Sequence, residues 1–297
     1  MKQINTAVIP VAGFGTRMLP ATKSIPKELL PILNKPVIHY VVNEAVQAGI
    51  KQIILVNHSS KVAIENYFDN NFELQSQLED KGKSGLLNDL DNLTKDVSIS
   101  SVRQPRALGL GHAILTAKEL IGGSDFAVLL PDVIIDPFTS NSSTDNMASM
   151  RKRYADSGVP QIMVNEVAAK DVSLYGIADC GDKELLPGAF SRVSSFIEKP
   201  SPKDAPSRFA VVGRYILPND ILSILENTSP GAGGEIQLTD AIDQYLDHND
   251  AEVYSMIGQS YDCGSVSGYL EAILNFASND ENLSSVLTKF FGDRFAS

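Results

Sequence analysis

Residues 4–31 read INTAVIPVAGFGTRMLPATKSIPKELLP, and two features of this segment indicate the architecture of the chain. The first is the apolar run at residues 4–11, which predicts a buried β-strand. The second is the loop that follows, where Gly13 and Gly15 let the backbone approach a ligand and leave amide groups free to bind phosphate oxygens. A strand that ends in a glycine-bearing loop predicts the first βα unit of an α/β protein.

This loop matches neither of the two commonest phosphate-binding motifs. A dinucleotide-binding loop requires a small residue three positions after Gly15, where this chain has Met18, and the Gly-Lys-Ser/Thr of a P-loop is absent. A nicotinamide-dependent oxidoreductase is therefore disfavoured. Three cations, Arg17, Lys23 and Lys27, lie on this short segment. A solvated charge cluster is the alternative for the lysines, but beside a glycine loop the cations favour a triphosphate clamp.

Beyond this unit, short apolar runs alternate with segments of helical period. Strands are predicted at 52–57, 97–103, 126–130, 161–166, 193–198, 209–216 and 252–256. Helices are predicted at 37–48, 61–68, 111–120, 219–226 and 235–246. Residues 70–95 have helical spacing and are interpreted as an excursion that could form a subunit contact. The alternation predicts an α/β fold with a mostly parallel sheet, which the second half of the chain extends.

Composition and charge limit the classes of partner. The chain has 297 residues, 43% of them hydrophobic, and a formal net charge of -11. A strongly acidic chain disfavours nucleic acid and anionic membranes as partners, because both are negatively charged and bind most strongly to basic surfaces. Cys180 and Cys263 have neither disulfide-framework nor zinc-site spacing. We find no signal-peptide pattern and no apolar run near the roughly 20 residues that cross a bilayer, so a cytoplasmic protein is expected.

Several motifs together resemble those of the sugar nucleotidyltransferase family, from about residue 4 to about 275. In order they are GFGTRMLP (13–20), PKELLP (26–31), VRQ (102–104), GLGHA (109–113), LPD (130–132), EKP (198–200), VGRY (212–215), GGEIQLTD (233–240) and YDCG (261–264). The resemblance implies a Rossmann-like fold in which a twisted, mixed, mostly parallel sheet is flanked by helices. It implies a single domain over 1–297, with a nucleotide-binding half at about 1–135, a sugar-phosphate-binding half at about 136–275 and a C-terminal helical tail at 276–297.

The resemblance also implies an activity, a cofactor and a set of site residues. The activity is transfer of a uridylyl group from UTP to glucose 1-phosphate with Mg²⁺, by a protein that forms a homodimer or homotetramer. The implied nucleotide-binding residues are Ala12, Gly13, Gly15, Thr16, Arg17, Lys27, Gln104 and Gly109. The implied sugar-phosphate-binding residues are Gly176, Glu198, Lys199, Gly213 and Glu235. The implied catalytic residues are Arg17, Lys27, Asp132 and Lys199, and the implied metal ligands are Asp132 and Asp262.

Elementary electrostatics explains why such a reaction needs these residue types. Two unit charges about 4 Å apart repel by about 4 kcal/mol at an effective dielectric near 20, and here two polyanions must meet. Asp132 follows a predicted strand at its carboxyl end, where open α/β sheets bind ligands. Taken alone, such an aspartate is more often a turn or cap residue. With the resemblance, Asp132 and Asp262 fit Mg²⁺, a hard ion that takes oxygen ligands.

Two alternatives concern the nucleotide base of the substrate and whether the protein is an enzyme at all. A thymidylyltransferase differs only by one methyl group on the base of its substrate, and the residues alone do not separate the two. A non-catalytic, nucleotide-sugar-binding paralogue is expected to lose its charged site residues, which this chain retains.

The four histidines lack the spacing of metal ligands or of a nucleophile's base and are interpreted as structural. His112 is the only one that we expect within reach of the ligand.

Overall fold

The computed structural model describes residues 3–181 and 184–295. Its strands are β1 (Thr6–Pro10), β2 (Pro31–Ile32), β3 (Lys35–Pro36), β4 (Gln52–Asn57), β5 (Ser98–Arg103), β6 (Phe126–Leu129), β7 (Val133–Ile135), β8 (Gln161–Glu166), β9 (Gly176–Asp179), β10 (Phe190–Arg192), β11 (Ser195–Glu198), β12 (Phe209–Leu217), β13 (Glu252–Ser255) and β14 (Ser260–Asp262). Its α-helices are α1 (Val37–Gln47), α2 (Val62–Phe68), α3 (Phe72–Asp80), α4 (Asn88–Thr94), α5 (Leu110–Thr116), α6 (Lys118–Ile121), α7 (Met147–Ser157), α8 (Ile221–Asn227), α9 (Leu238–Leu246), α10 (Val266–Ser278) and α11 (Ser284–Phe295).

One large mixed sheet joins the two halves of the chain. Its order is β10-β13-β8-β12-β6-β1-β4-β5, and β9 and β11 attach to it through β12. Strands β6, β1, β4 and β5 are parallel, as are β8 and β13, while β12 runs antiparallel to both β6 and β8. The mixed, mostly parallel sheet that the sequence predicted is therefore confirmed. Because β6 of the first half pairs with β12 of the second, we propose that the chain forms one domain.

Helices cover both faces of this sheet. Along β1, Val8 belongs to one buried cluster, which includes residues of α5, α8 and α9. Ala7 and Ile9 belong to the other cluster, which includes residues of α1 and α7. A parallel strand that is buried on both faces needs apolar residues at successive positions rather than alternate ones. This explains why Ala7, Val8 and Ile9 are apolar at successive positions of β1.

The structure differs from the predicted elements mainly at their ends and in the short elements. The helix predicted from residue 235 begins at Leu238, because a 3-10 turn at Ala232–Gly234 and extended residues precede it. The excursion at 70–95 consists of α3 and α4 with a 3-10 turn between them. The C-terminal tail predicted from residue 276 is helical, but residue 276 lies inside α10, and α11 follows it. Positions 1–2 and 296–297 of the predicted domain lie outside the described residues. Within the described part of the chain, no helix is long and apolar enough to cross a membrane.

Candidate active site

The glycine loop leaves the carboxyl end of β1 and folds back onto the segment that carries Lys27. Gly15 has a left-handed backbone (φ 65°) and begins a 3-10 turn at Thr16–Met18. A side chain on Gly15 would lie 3.3 Å from carbons of both Lys27 and Thr22, and the Thr22 hydroxyl donates to the Gly15 carbonyl at 2.8 Å. The turn and the close approach both favour glycine at this position. The loop and the lysine segment are thus held together as one unit.

A buried ion pair that the sequence did not reveal anchors this unit. The Lys61 ammonium donates to the carbonyls of Val11 and Gly13 and to both carboxylate oxygens of Glu28, at 2.9 and 3.0 Å. Lys61 is 6% exposed and Glu28 is 1% exposed. Burial lowers the pKa of Lys61, and the charge of Glu28 opposes that shift. Lys61 was predicted as the first residue of a helix, and no local pattern pairs it with a residue 33 positions away.

A first cleft of about 300 Å³ opens beside the glycine loop. Its walls contain the predicted nucleotide-binding residues Ala12, Gly13, Lys27, Gln104 and Gly109. Gly15, Thr16 and Arg17 are not among its lining residues, whereas Glu235, which was predicted to bind the sugar phosphate, is. A side chain on Gly109 (φ 99°) would come within 2.7 Å of the Ile236 carbonyl oxygen. The glycine is therefore required by the packing of the segment at 235–236 across the cleft wall.

A second cleft of about 340 Å³ also borders Asp132. Its lining residues include Arg17, Asp132, Tyr175 and Asp262. Asp132 and its neighbour Leu130 line both clefts. Asp132 is therefore a charged group at the boundary between two spaces that are each large enough for part of a substrate.

Two cations and two carboxylates meet at this boundary. The Lys27 ammonium lies 2.5 Å from Asp132, and the Arg17 guanidinium lies 2.8 Å from Asp262 and 3.8 Å from Asp132. Burial would lower the pKa of Lys27, but the charges of Asp132 and Glu28 outweigh it and leave this pKa raised. Burial would raise the pKa of Asp132, but Lys27, together with a backbone hydrogen bond and Arg17, outweighs burial and leaves this pKa lowered. Both groups are therefore charged near neutral pH.

Asp262 reaches the cluster through a short strand pair. Strand β14 is antiparallel to β7 and pairs Asp262 with Val133, the residue next to Asp132. The Cys263 amide donates to the Asp132 carbonyl at 2.8 Å, and the Gly264 amide donates to the Asp262 carboxylate at 2.9 Å. Residues 130 positions apart in the chain are thus placed side by side by three-residue strands.

A fully buried arginine holds the segment that carries Asp132. Arg214 of β12 is 0% exposed and donates to the carbonyls of Leu130 (3.0 Å) and Val133 (2.6 Å), one on each side of Asp132. Its charge is balanced by the carboxylate of Glu44 on α1, at 2.7 to 3.1 Å. Arg214 belongs to the VGRY motif, but nothing in the sequence connects it with Asp132.

Three of the predicted sugar-phosphate residues, Gly176, Glu198 and Lys199, form a separate group around β9 and β11. Lys199 contacts Glu198 at 3.1 Å, and the Thr239 hydroxyl donates to Glu198 at 3.0 Å. The side chain of Lys199 is 55% exposed and has no hydrogen bond or ion pair to Arg17, Lys27 or Asp132 within the described residues. Gly176 adjoins Glu198, since a side chain on it would lie 3.1 Å from that carboxylate. These residues line neither cleft.

Gly213 contacts Leu130 and so affects the shape of both clefts. It has a φ of 88°, and a side chain there would lie 2.6 Å from Leu130, which lines both clefts. The glycine therefore sets the position of a shared wall rather than facing a ligand itself.

Gly264 is a site residue that was quoted in a motif but given no role. A methyl group on it would lie 2.6 Å from Asp132, 2.7 Å from Arg17 and 2.9 Å from Asp262. We expect Gly264→Ala to lower turnover roughly 10- to 100-fold because small displacements of reacting groups are costly, while the fold survives because the side-chain ends that it meets can move. Pyrophosphate release and thermal unfolding followed by circular dichroism measure the two effects.

Gly292→Ala on α11 is the matched control, because a methyl group at Gly292 would meet nothing within 4 Å. It should leave the rate unchanged. An equal loss of rate in both variants, or an unchanged rate in Gly264→Ala, would contradict this reading of the cluster.

The cluster is compatible with a divalent cation. Within the described residues, no group of three or more His, Cys, Asp or Glu side chains could hold a metal by itself. Asp132 and Asp262 nevertheless supply two hard oxygen ligands that face one cationic group, Arg17. Mg²⁺ sites in phosphate-transfer enzymes commonly use one or two carboxylates together with substrate phosphates. The two carboxylates therefore fit a metal ion whose remaining ligands come from the phosphates of a bound nucleotide.

The fold and the site together define a class of protein. A Rossmann-like sheet carries a glycine loop, and two clefts share a carboxylate flanked by Lys27 and Arg17. This arrangement suits an enzyme of phosphate chemistry that brings a nucleotide and a second anionic substrate together.

Comparison with known proteins agrees with this class. The sequence profile of the family described as Nucleotidyl transferase matches residues 6–279. The UTP–glucose-1-phosphate uridylyltransferase of Haemophilus influenzae is 50% identical over 285 residues, which cover 96% of this chain and 97% of that protein. The solved structure of a UTP-bound UGPase from Acinetobacter baumannii is 48% identical, covers 97% of this chain and 98% of that chain, and has a TM-score of 0.88. A UDP-glucose pyrophosphorylase solved with UDP-glucose is 38% identical, covers 93% of this chain and 100% of that chain, and has a TM-score of 0.83. The chain therefore belongs to the nucleotidyltransferase family and, within it, to the UTP–glucose-1-phosphate uridylyltransferases.

Proposed function

We propose that this protein transfers the uridylyl group of UTP to glucose 1-phosphate, giving UDP-glucose and pyrophosphate. The observation that carries the proposal is the position of Asp132, which lines both clefts and contacts Lys27 and Arg17. The relatives support the substrates, since one is named for UTP and glucose 1-phosphate and two solved relatives contain UTP and UDP-glucose.

The proposed chemistry is a direct in-line displacement. A phosphate oxygen of glucose 1-phosphate forms a bond to the α-phosphorus of UTP, the bond from that phosphorus to the bridging oxygen of pyrophosphate breaks, and pyrophosphate leaves with the electron pair. Ala12, Gly13 and Gln104 contribute to the nucleotide site in the first cleft. Lys27 and Arg17 reduce the repulsion between the two anions. No side chain has to accept a proton in this scheme.

The second substrate is proposed to enter on the side of the second cleft, where Tyr175 lines the wall and its carbonyl accepts from the Lys199 amide at 3.0 Å. Lys199 is assigned to the sugar phosphate, and its exposed, flexible side chain supports this assignment because it can reorient toward an anion. Glu198 and Glu235 are assigned to sugar hydroxyls, since carboxylates accept their hydrogens. Gly176 leaves room beside the Glu198 carboxylate, and Gly213 contributes by setting the position of Leu130, which lines both clefts.

A divalent cation, Mg²⁺ in particular, is proposed as the cofactor, with Asp132 and Asp262 as its protein ligands. When bound, it would neutralise phosphate charge and help to align the triphosphate. The same carboxylates also contact Arg17 and Lys27, so side chains of the protein itself compensate both charges.

Substrate specificity tests the proposal. We expect turnover with UTP and glucose 1-phosphate to exceed turnover with dTTP, measured side by side as pyrophosphate release over a panel of nucleotides and sugar phosphates. A clear preference for dTTP would assign the protein to thymidylyl transfer instead. Binding of UDP-glucose without turnover of any pair would favour a non-catalytic, nucleotide-sugar-binding protein.

The proposed setting is a cytoplasmic homodimer or homotetramer. Two side chains of the 70–95 excursion, Phe72 and Leu86, are strongly exposed and support a contact role for that segment. Sedimentation of the purified chain measures the assembly.

A further inference from the structure

The side-chain amide of Gln104 is held in one orientation by two neighbours. Gln104 follows β5, is 4% exposed and lines the first cleft. Its nitrogen, Nε2, lies 3.3 Å from the carbonyl oxygen of Gly109 and 2.9 Å from Nδ1 of His112. Both contacts are made by the same end of the amide. The other end, Oε1, has no hydrogen-bond partner within residues 3–181 and 184–295.

Hydrogen-bond chemistry decides which end of the amide faces these neighbours. A backbone carbonyl can only accept, so the amide atom beside Gly109 must be the nitrogen, and a flipped amide would place two oxygens against each other. The nitrogen has two hydrogens, and Gly109 takes one of them. The other is available to Nδ1 of His112, which accepts it when the imidazole is neutral and carries its proton on Nε2. Oε1, an acceptor, is then the part of the amide left for a ligand.

The shorter of the two contacts is the one between Gln104 and His112. The packing of α5 fixes the position of His112. His112 lies in the first turn of α5, where the Gly111 amide donates to the Ile236 carbonyl at 2.9 Å. A side chain on Gly111 would lie 2.7 Å from Leu225, so α5 packs closely against its neighbours at this point. The contact from Gly109 is the longer one at 3.3 Å. His112 therefore supplies the stronger constraint on the amide.

Oε1 of Gln104 can only accept a hydrogen bond, so it distinguishes bases whose ring nitrogen N3 is a donor from bases whose N3 is an acceptor. Uracil and thymine carry a hydrogen on N3, whereas N3 of cytosine is itself an acceptor. We propose that His112, with the Gly109 carbonyl, is a positioning residue that presents Oε1 of Gln104 to the base, so that the site accepts a base with a ring N–H donor and rejects cytosine. The inference rests on the proposed function only in placing the base in the first cleft. A cytosine there would leave two acceptors facing each other, which is the kind of mismatch that produces strong discrimination.

The test compares UTP with CTP in a set of variants. His112→Phe keeps a planar ring but cannot accept a hydrogen bond, and we expect it to lower the ratio of kcat/KM for UTP to that for CTP by about tenfold. His112→Asn, whose amide oxygen can accept, should restore most of the ratio. In a Gln104→Ala background the ratio is already reduced, and His112→Phe should lower it no further. Glu119→Gln, at an exposed position of the next helix, α6, is the control and should leave the ratio unchanged.

Binding measurements keep the inference separate from the proposed activity. Calorimetric affinities for UMP and CMP report the same ratio without turnover, so the inference is tested even if the protein does not transfer uridylyl groups. An unchanged UMP to CMP ratio in His112→Phe would overturn the positioning role. So would an equal loss of affinity for both nucleotides, which indicates only local damage, or the same change in ratio when Gln104 is alanine.

Discussion

Asp132→Asn is expected to lower turnover of UTP and glucose 1-phosphate by at least about 10²-fold, equivalent to about 2.7 kcal/mol of transition-state stabilisation. The substitution keeps the shape of the side chain but removes the charge that lies between the two clefts and faces Lys27 at 2.5 Å. If Asp132 is also a ligand of the proposed cation, the affinity for Mg²⁺ should fall with the rate. Steady-state pyrophosphate release at several Mg²⁺ concentrations measures both effects.

The same variant should change the ionisation of Lys27. In the wild-type chain Asp132 is the main charge that offsets burial and keeps the pKa of Lys27 raised. Without that charge, burial should lower this pKa, so the fraction of charged lysine should begin to fall at lower pH than in the wild-type chain. The pH–rate profile of Asp132→Asn should therefore lose activity on its alkaline side earlier.

A matched control separates this effect from the loss of any surface carboxylate. Asp89 pairs with Lys35 at 2.6 Å and lines neither cleft, and its side chain is 68% exposed. Asp89→Asn should keep the wild-type rate within about twofold, since exposed pairs contribute little. A near-normal rate in Asp132→Asn would remove the central support for the proposed mechanism.

The sequence predicted those parts of the fold and site that depend on local pattern. The apolar run at 4–11 predicted β1 because a strand that is buried on both faces is apolar at most successive positions, as at Ala7, Val8 and Ile9. The resemblance to the family, rather than local pattern, implied that Gly13, Lys27 and Gln104 share one site, and the first cleft contains all three. Asp132 was placed at a strand's carboxyl end, and it lies just beyond the end of β6.

Contacts between distant residues could not be predicted in this way. The Lys61–Glu28 pair spans 33 positions and the Arg214–Glu44 pair spans 170, and a charged residue at any of these positions is usually exposed. The β7–β14 pair was missed because its strands have three residues each, too few to show a period. Such interactions depend on how the sheet brings the chain together.

Arg214→Met is expected to destabilise the protein by about 3–5 kcal/mol, because it leaves the buried carboxylate of Glu44 without a partner. The substitution also removes the donors to the carbonyls on both sides of Asp132. Activity and stability should therefore fall together, and this variant alone does not show which loss causes the other. Urea unfolding measures the free energy of unfolding, and pyrophosphate release measures the rate.

The double variant Arg214→Met, Glu44→Leu separates the two effects. Replacing both members of a buried ion pair by apolar side chains is often neutral for stability, so we expect most of the lost free energy of unfolding to return. The carbonyls of Leu130 and Val133 still lack their donors, and the segment that carries Asp132 remains free to shift. A rate that stays at least about tenfold low in a restabilised protein would show that Arg214 positions the carboxylate, since displacement by about 1 Å is enough for such a loss. If rate and stability recovered together, the buried arginine would serve the fold alone, and the position of Asp132 would have to be set by the β7–β14 pair.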